Sequence, residues 1–146
     1  MPGNARGDQA HVLVVDDEEL ARESLGAILE ESYRVTLARS GEEALGILRA
    51  QTVNVVCTDY QMPGMDGRQL LAELAKVSPE TVGVLVTGFP ELASHGDRDR
   101  NRGHLVVVKP FTPERLLQIV AQAISFNEIR SSKASVDSSD SGRIGR

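Results

Sequence analysis

The sequence is poor in the residues that build disulfide frameworks, membrane spans and nucleic-acid interfaces. It has one cysteine, Cys57, no tryptophan and only 3% aromatic residues. A single cysteine can form neither an internal disulfide nor a cysteine-based zinc site. No apolar run approaches the ~18 residues of a membrane span. The net charge of -5 and the pI of about 5.2 argue against a nucleic-acid-binding domain, because such a domain needs a basic face. We therefore expect binding to neither membranes nor nucleic acid.

What remains is typical of one globular domain. The chain has 146 residues, of which 40% are hydrophobic and 25% are charged. Its first residues, MPGNARGDQ, lack the apolar core of a signal peptide, which predicts a cytoplasmic protein. Residues 1–9 are predicted to be a flexible N-terminal tail. Residues 128–146 are rich in Ser, Asp and Gly and are predicted to be a flexible C-terminal tail or linker stump. The folded domain is then expected at 10–127.

Five short apolar runs alternate with amphipathic segments. Because most of these runs are apolar almost throughout, they are typical of parallel strands with both faces covered. The pattern predicts an α/β fold with an open, doubly wound parallel sheet and helices on both sides. In the fourth crossover, residues 88–103, only PELASH looks helical, so we expect a short or irregular fourth helix. The predicted strands are residues 11–15, 34–37, 53–58, 82–87 and 105–108.

Polar residues stand where four of these strands end. Asp16 and Asp17 follow the first strand, Asp59 the third, Thr87 the fourth and Lys109 the fifth. Ligands bind beyond the carboxyl ends of the strands in open parallel sheets. The sequence therefore predicts that these side chains meet at one edge of the sheet.

The chemistry of this predicted cluster points to a metal ion and to phosphorus. Two like charges 4 Å apart repel by roughly 4 kcal/mol at an effective dielectric near 20, so gathered carboxylates need compensation. Mg²⁺ prefers oxygen ligands and suits a site with one or two carboxylates, and Lys109 adds a second positive charge. A carboxylate beside such groups can act as a nucleophile towards phosphorus, and a hydroxyl such as that of Thr87 can stabilise the transferring oxygens.

The motifs VVDDEE, TDYQMPGMDG, VTG and VKPF, in this order and spacing, resemble the receiver domain of response regulators in bacterial two-component systems. The match covers about residues 10–127. The resemblance implies a five-stranded flavodoxin-like sheet of order 2-1-3-4-5. It also implies a signalling phosphoacceptor, with no enzymatic activity beyond Mg²⁺-dependent self-phosphorylation and autodephosphorylation.

Residue roles follow from this resemblance by position. Asp59 would accept the phosphoryl group from a histidine of a sensor kinase or of a histidine phosphotransfer protein. Asp17, Asp59 and the backbone carbonyl of Gln61 would bind Mg²⁺ or Mn²⁺, with Asp16 acting mostly through a water molecule. The phosphorylated domain would then act on a downstream protein target.

The resemblance also implies a switch around the phosphoryl group. Lys109 would pair with that group, Thr87 would hydrogen-bond to it, and the Lys109–Pro110 peptide bond would be cis. The family usually has Tyr or Phe at the position of Val106, so coupling between the threonine and a mobile ring is in doubt here. Gln61 and Phe89 occupy the positions that flank the attacking water, and the apolar Phe89 predicts a long-lived phosphoryl state.

Other interpretations remain open. The chain could be a non-phosphorylated interaction scaffold, which Val106 and the irregular fourth crossover favour. It could also be a phosphohydrolase with an aspartyl nucleophile, although Gln61 stands where such enzymes carry a second acid. Thr87 could simply bond to its own backbone at the strand end. His11, His95 and His104 show no pairing with carboxylates at ligand spacing, which favours surface positions for all three.

Overall fold

The computed structural model describes residues 9–93 and 104–144. The strands are β1 (His11–Val15), β2 (Arg34–Ala38), β3 (Val55–Asp59), β4 (Val82–Thr87) and β5 (Leu105–Val108). The α-helices are α1 (Glu19–Glu30), α2 (Gly41–Ala50), α3 (Gly67–Val77) and α4 (Pro113–Ile144). A 3-10 helix, Pro90–Ala93, follows β4.

The strands form one parallel sheet in the order β2-β1-β3-β4-β5. This arrangement confirms the predicted fold and strand order. The register places Val15 beside Thr58 and Asp59 beside Val86, and it places Thr87 beside Val108. The residues that end β1, β3, β4 and β5 therefore lie along one edge of the sheet.

The strands are apolar almost throughout because helices cover both faces of the sheet. In β1, Val12 and Val14 pack in one apolar cluster, which also contains Leu116 of α4. The intervening Leu13 packs in the other cluster, which contains Leu70 of α3. Since successive side chains of a strand point to opposite faces, a strand between two helical layers must be apolar at every position.

The predicted domain boundary at residue 127, after which a flexible tail or linker stump was expected, does not coincide with the end of a helix. Helix α4 continues without a break to Ile144. Two hydrogen bonds tie α4 at this boundary to the residues that precede β4: the Asn127 amide donates to the carbonyl of Glu80, and the Arg130 guanidinium donates to the carbonyl of Thr81. Composition alone missed these tertiary contacts. Residues 1–8 and 145–146, in the predicted tails, lie outside the described residues.

The fourth crossover contains the short 3-10 helix Pro90–Ala93, as the sequence predicted, and its residues 94–103 lie outside the described part of the chain. His95 lies there too. The predicted surface position is wrong for His11, which is 3% exposed, because its ring hydrogen-bonds to Thr36 and Thr52. His104 is half-buried. Among the described residues, no helix combines the length and apolarity that a membrane crossing requires.

Candidate functional site

Three carboxyl groups converge at the carboxyl edge of the sheet. Oxygens of Asp16, Asp17 and Asp59 all lie within 4.8 Å of one another. This convergence follows from the sheet order, because β1 and β3 are neighbours and both strands end here. Asp16 is 3% exposed and Asp59 is 7% exposed, whereas Asp17 faces solvent. The structure thus confirms the acidic cluster that the strand ends predicted.

Asp16 is held by two residues at the start of α1. Its carboxylate accepts a hydrogen bond from the Glu18 amide at 3.0 Å, and its carbonyl accepts one from Arg22 at 2.9 Å. Burial raises the pKa of Asp16 above its ordinary value. The neighbouring Asp59 and Asp17 raise it further, while the Glu18 amide opposes the shift. Lys109 also opposes the shift, so the raised pKa of Asp16 reflects mainly its burial and, to a smaller extent, the neighbouring carboxyl groups.

Lys109 supplies one cation to this cluster. Its ammonium Nζ donates to Oδ1 of Asp59 at 2.7 Å. The Lys109 amide donates to the Thr87 carbonyl at 2.7 Å, and the Lys109–Pro110 peptide bond is cis, as the family resemblance implied. One ammonium faces three carboxyl groups, so the cluster has room for further positive charge.

The donor set of the cluster fits a hard divalent cation. Carboxylate oxygens are ligands that Mg²⁺ prefers, and the exposed Asp17 leaves one side open to the waters that Mg²⁺ retains. Gln61, the predicted carbonyl ligand, lies two residues beyond Asp59 and is exposed. The residues present are therefore suited to Mg²⁺ or Mn²⁺.

The start of α3 fixes the backbone at Asp59. Asp66 caps α3 in a reciprocal pair of hydrogen bonds with Gln69. The first helical residue is Gly67, where a Cβ atom would clash with the carbonyl oxygen of Asp59. The Gly67 amide also donates to the Tyr60 carbonyl at 2.8 Å. Glycine is required here because any side chain would push α3 away from the end of β3.

Thr87 lies at the same edge, one residue beyond the partner of Asp59 on β4. It is buried, and its Oγ1 accepts a hydrogen bond from the Phe89 amide at 3.0 Å. This is the local backbone contact that the simpler interpretation of Thr87 predicted. The hydroxyl hydrogen is not used by that contact, so Thr87 can still donate a hydrogen bond.

Val106 and Phe89 occupy two atypical positions near the site. Val106 pairs with Leu85 across β4 and β5 and is half-buried against an apolar cluster. Phe89 is 38% exposed, and its ring makes an edge-to-face contact with that of Tyr60, with centroids 5.8 Å apart and planes at 88°. The sequence analysis missed Tyr60. The available signal was a pair of aromatic residues that closely follow the ends of the neighbouring strands β3 and β4.

Comparisons with known proteins agree with this geometry. Residues 12–121 match the family model for the response regulator receiver domain. HoxA, a hydrogenase transcriptional regulatory protein of Cupriavidus necator, is 34% identical over 117 residues, covering 80% of this chain and 24% of HoxA. The response regulator receiver protein CpdR of Brucella abortus is 31% identical over 100 residues, covering 68% of this chain and 83% of CpdR.

A solved structure shows the same likeness in three dimensions. A CheY-like response regulator receiver domain protein from Methanospirillum hungatei matches with a TM-score of 0.73 at 29% identity. That match covers 83% of this chain and 98% of the other. The chain therefore spans nearly all of this receiver protein but only 24% of the regulator HoxA.

Proposed function

The chain belongs to the response regulator receiver domain family, and we propose that it accepts a phosphoryl group on Asp59. The donor is a phosphohistidine of a sensor histidine kinase or of a histidine phosphotransfer protein. One observation carries the proposal: the Lys109 ammonium lies 2.7 Å from Asp59 Oδ1 inside a cluster of three carboxyl groups. An isolated ion pair does not account for the two further carboxyl groups, whereas a metal ion beside a phosphoryl site gives them a role.

The proposed step is a transfer between two protein side chains. A carboxylate oxygen of Asp59 forms a bond to phosphorus, and the bond between phosphorus and the donor histidine nitrogen breaks. The electron pair of the broken bond stays on the imidazole. Lys109 orients the Asp59 carboxylate beforehand and stabilises the negative oxygens of the phosphoryl group during transfer. Thr87 donates its hydroxyl hydrogen to one of these oxygens while it continues to accept from Phe89.

The same cluster is proposed to hold Mg²⁺ or Mn²⁺. Asp17, Asp59 and the carbonyl of Gln61 would hold the ion directly, and Asp16 would act through a water molecule. When bound, the ion neutralises charge on the cluster and on the phosphoryl oxygens. Burial of Asp16 and its hydrogen bond from the Glu18 amide at 3.0 Å restrain the Asp16 carboxylate independently of the ion.

Phosphorylation adds roughly two negative charges at Asp59. A complete change of state, from 1:99 to 99:1, needs about 5.5 kcal/mol of differential stabilisation. Because Val106 has no ring to move inward, we propose a partial switch that alters contacts with a downstream protein.

Intact-mass spectrometry tests the phosphoacceptor proposal. The protein is incubated with Mg²⁺ and a small acyl phosphate, and we expect the mass of one phosphoryl group to be added. Asp59→Asn should abolish the gain, as should removal of Mg²⁺ by a chelator. Glu114→Gln, an exposed carboxylate changed in the same way, should leave it intact.

Other outcomes favour the alternatives. If the protein gains no phosphoryl mass and beryllofluoride does not change the spectrum of the protein, the result supports an interaction scaffold. Sustained turnover of phosphate monoesters would instead support a phosphohydrolase. Phosphotransfer from candidate kinases, followed by capture of partners with and without beryllofluoride, then identifies the donor and the target.

The lifetime of the phosphoryl group tests the role of Phe89. The side chain offers no polar atom to orient water, so we expect slow autodephosphorylation. Phe89→Glu should accelerate the loss of phosphate by more than about twofold, because a positioned carboxylate can act as a general base. Phe126→Glu, which changes a comparably exposed ring on α4, is the control. A smaller acceleration in Phe89→Glu contradicts the hypothesis.

A further inference from the structure

Thr87 is tethered to the residue that carries the exposed ring. The amide of Phe89 donates to Thr87 Oγ1 at 3.0 Å, and Thr87 itself is buried at the end of β4. If the hydroxyl turns towards a phosphoryl group on Asp59, the Phe89 amide must follow it or lose its acceptor. A displacement of Thr87 therefore reaches the backbone of Phe89 directly.

The ring of Phe89 packs against a residue that is fixed on both sides. Tyr60 donates its amide to the Val86 carbonyl at 2.9 Å and accepts at its own carbonyl from Gly67 at 2.8 Å. These bonds hold Tyr60 between β4 and α3. The edge-to-face contact between the two rings therefore joins Phe89 to a residue whose backbone is fixed between these elements.

Phe89 is also bonded to the 3-10 helix that follows β4. Its carbonyl accepts from the Leu92 amide at 3.0 Å, a bond that closes the 3-10 helix Pro90–Ala93. Leu92 packs in the same apolar cluster as Leu85 and Val106, and Tyr60 belongs to that cluster as well. A shift at Phe89 therefore has a contiguous route to Leu92 and to Val106.

From these contacts we propose that Tyr60 and Phe89 form an aromatic pair that responds to the position of Thr87. The pair transmits the position of the Thr87 hydroxyl to the 3-10 helix and to β5, in place of the ring that Val106 lacks. This inference rests on the proposed phosphorylation of Asp59. Neither aromatic residue takes part in the bond-making step, because each is linked to the phosphoryl group only by way of Thr87.

Methyl NMR of Leu92 tests the coupling, because Leu92 lies beyond Phe89 on this route and is not part of the metal cluster. We expect its methyl resonances to shift when Mg²⁺ and beryllofluoride are added, and the shift to disappear in Asp59→Asn. Phe89→Leu keeps the amide tether but removes the ring, and Tyr60→Leu removes the ring that it packs against. Each should reduce the Leu92 shift to less than half of the wild-type value.

Two further measurements make the outcomes distinct. Phe126→Leu removes a comparably exposed ring elsewhere and should leave the Leu92 shift unchanged. Intact mass after acyl phosphate treatment reports phosphorylation in each variant independently. If Phe89→Leu and Tyr60→Leu are phosphorylated and retain the full Leu92 shift, the coupling is overturned while the phosphoacceptor proposal stands. If the wild type gains no phosphoryl mass and no resonance near Asp59 responds, both are overturned.

Discussion

The two edges of the same sheet use polar residues in opposite ways. At the carboxyl edge, three acidic side chains share one lysine ammonium. At the amino edge, the polar residues form a hydrogen-bonded network of His11, Asn54 and Asn127. These three side chains are neutral, and the charged residue beside them is Arg34. The carboxyl edge therefore concentrates negative charge that a cationic ligand can neutralise. The described polar groups of the amino edge carry no comparable excess of charge.

The amino-edge network joins three elements through short hydrogen bonds. The side chain of Asn54 accepts a hydrogen bond from the His11 backbone amide at 2.7 Å. It also donates one to the side-chain oxygen Oδ1 of Asn127 at 2.8 Å. Asn127 in turn donates to the backbone carbonyl of Glu80 at 2.9 Å. Buried polar groups that satisfy one another stabilise a fold, whereas gathered like charges weaken it until a ligand arrives. We infer that stability is concentrated at the amino edge and ligand binding at the carboxyl edge.

The largest expected effect comes from breaking the amino edge. Asn127→Ala leaves the Asn54 amide and the Glu80 carbonyl without their partner, and should lower the free energy of unfolding by about 1–3 kcal/mol. Denaturant titration measures this loss. The phosphoryl mass gain at Asp59 should be unchanged, because α4 contacts the opposite edge at this point.

Gln122→Ala is the matched control for that variant. It removes an amide side chain of the same helix that faces solvent, so stability should change little. Alanine favours a helix more than either amide residue does, so helix propensity does not explain a loss in either variant. Equal losses in Gln122→Ala and Asn127→Ala would show that removing any amide side chain of this helix has the same effect, and that the buried network makes no special contribution.

An intermediate effect is expected from filling the carboxyl edge. Mg²⁺ should raise the free energy of unfolding by about 1.4 kcal/mol when its free concentration is about ten times Kd. Unfolding curves with and without Mg²⁺ report the gain. Asp17→Asn should remove most of the gain, and Glu114→Gln should retain it. Stabilisation by Mg²⁺ that persists in Asp17→Asn would place the ion elsewhere.

The smallest effect is expected from the pH dependence of the amino edge. Burial, assisted by the positive charge of Arg34, lowers the pKa of His11 below its ordinary value of 6.5, although its hydrogen bond to the Thr52 carbonyl opposes the shift. Below pH 6.5 the unfolded chain therefore takes up a proton that folded His11 resists. Stability from His11 is complete above that pH and declines as the pH falls towards the lowered pKa.

Denaturant titrations across this pH range compare the wild type with His11→Gln. On acidification, the unfolding free energy of the variant should fall less than that of the wild type, since glutamine does not titrate. Identical pH profiles for the two proteins would show that His11 has the same pKa in the folded and unfolded chains.

The carboxyl edge was the more predictable of the two. Asp16, Asp17, Asp59 and Lys109 directly follow or end apolar runs, and parallel strands bring their carboxyl ends together. The amino edge left no such pattern: Asn54 and Asn127 are 73 positions apart in the chain and meet only after the sheet and α4 have packed. The contacts of α4 at its passage beyond residue 127 were missed for the same reason, because its bonds to Glu80 and Thr81 are tertiary.

The order of apolar runs and the residues at their ends determined the parallel sheet and the acidic cluster, since both depend on periodicity and strand direction along the chain. Only the tertiary structure decided which rings, amides and carbonyls from distant segments meet, as in the contact of Tyr60 with Phe89 and the burial of His11. Such contacts depend on distances between packed side chains, and those distances are fixed when the elements dock.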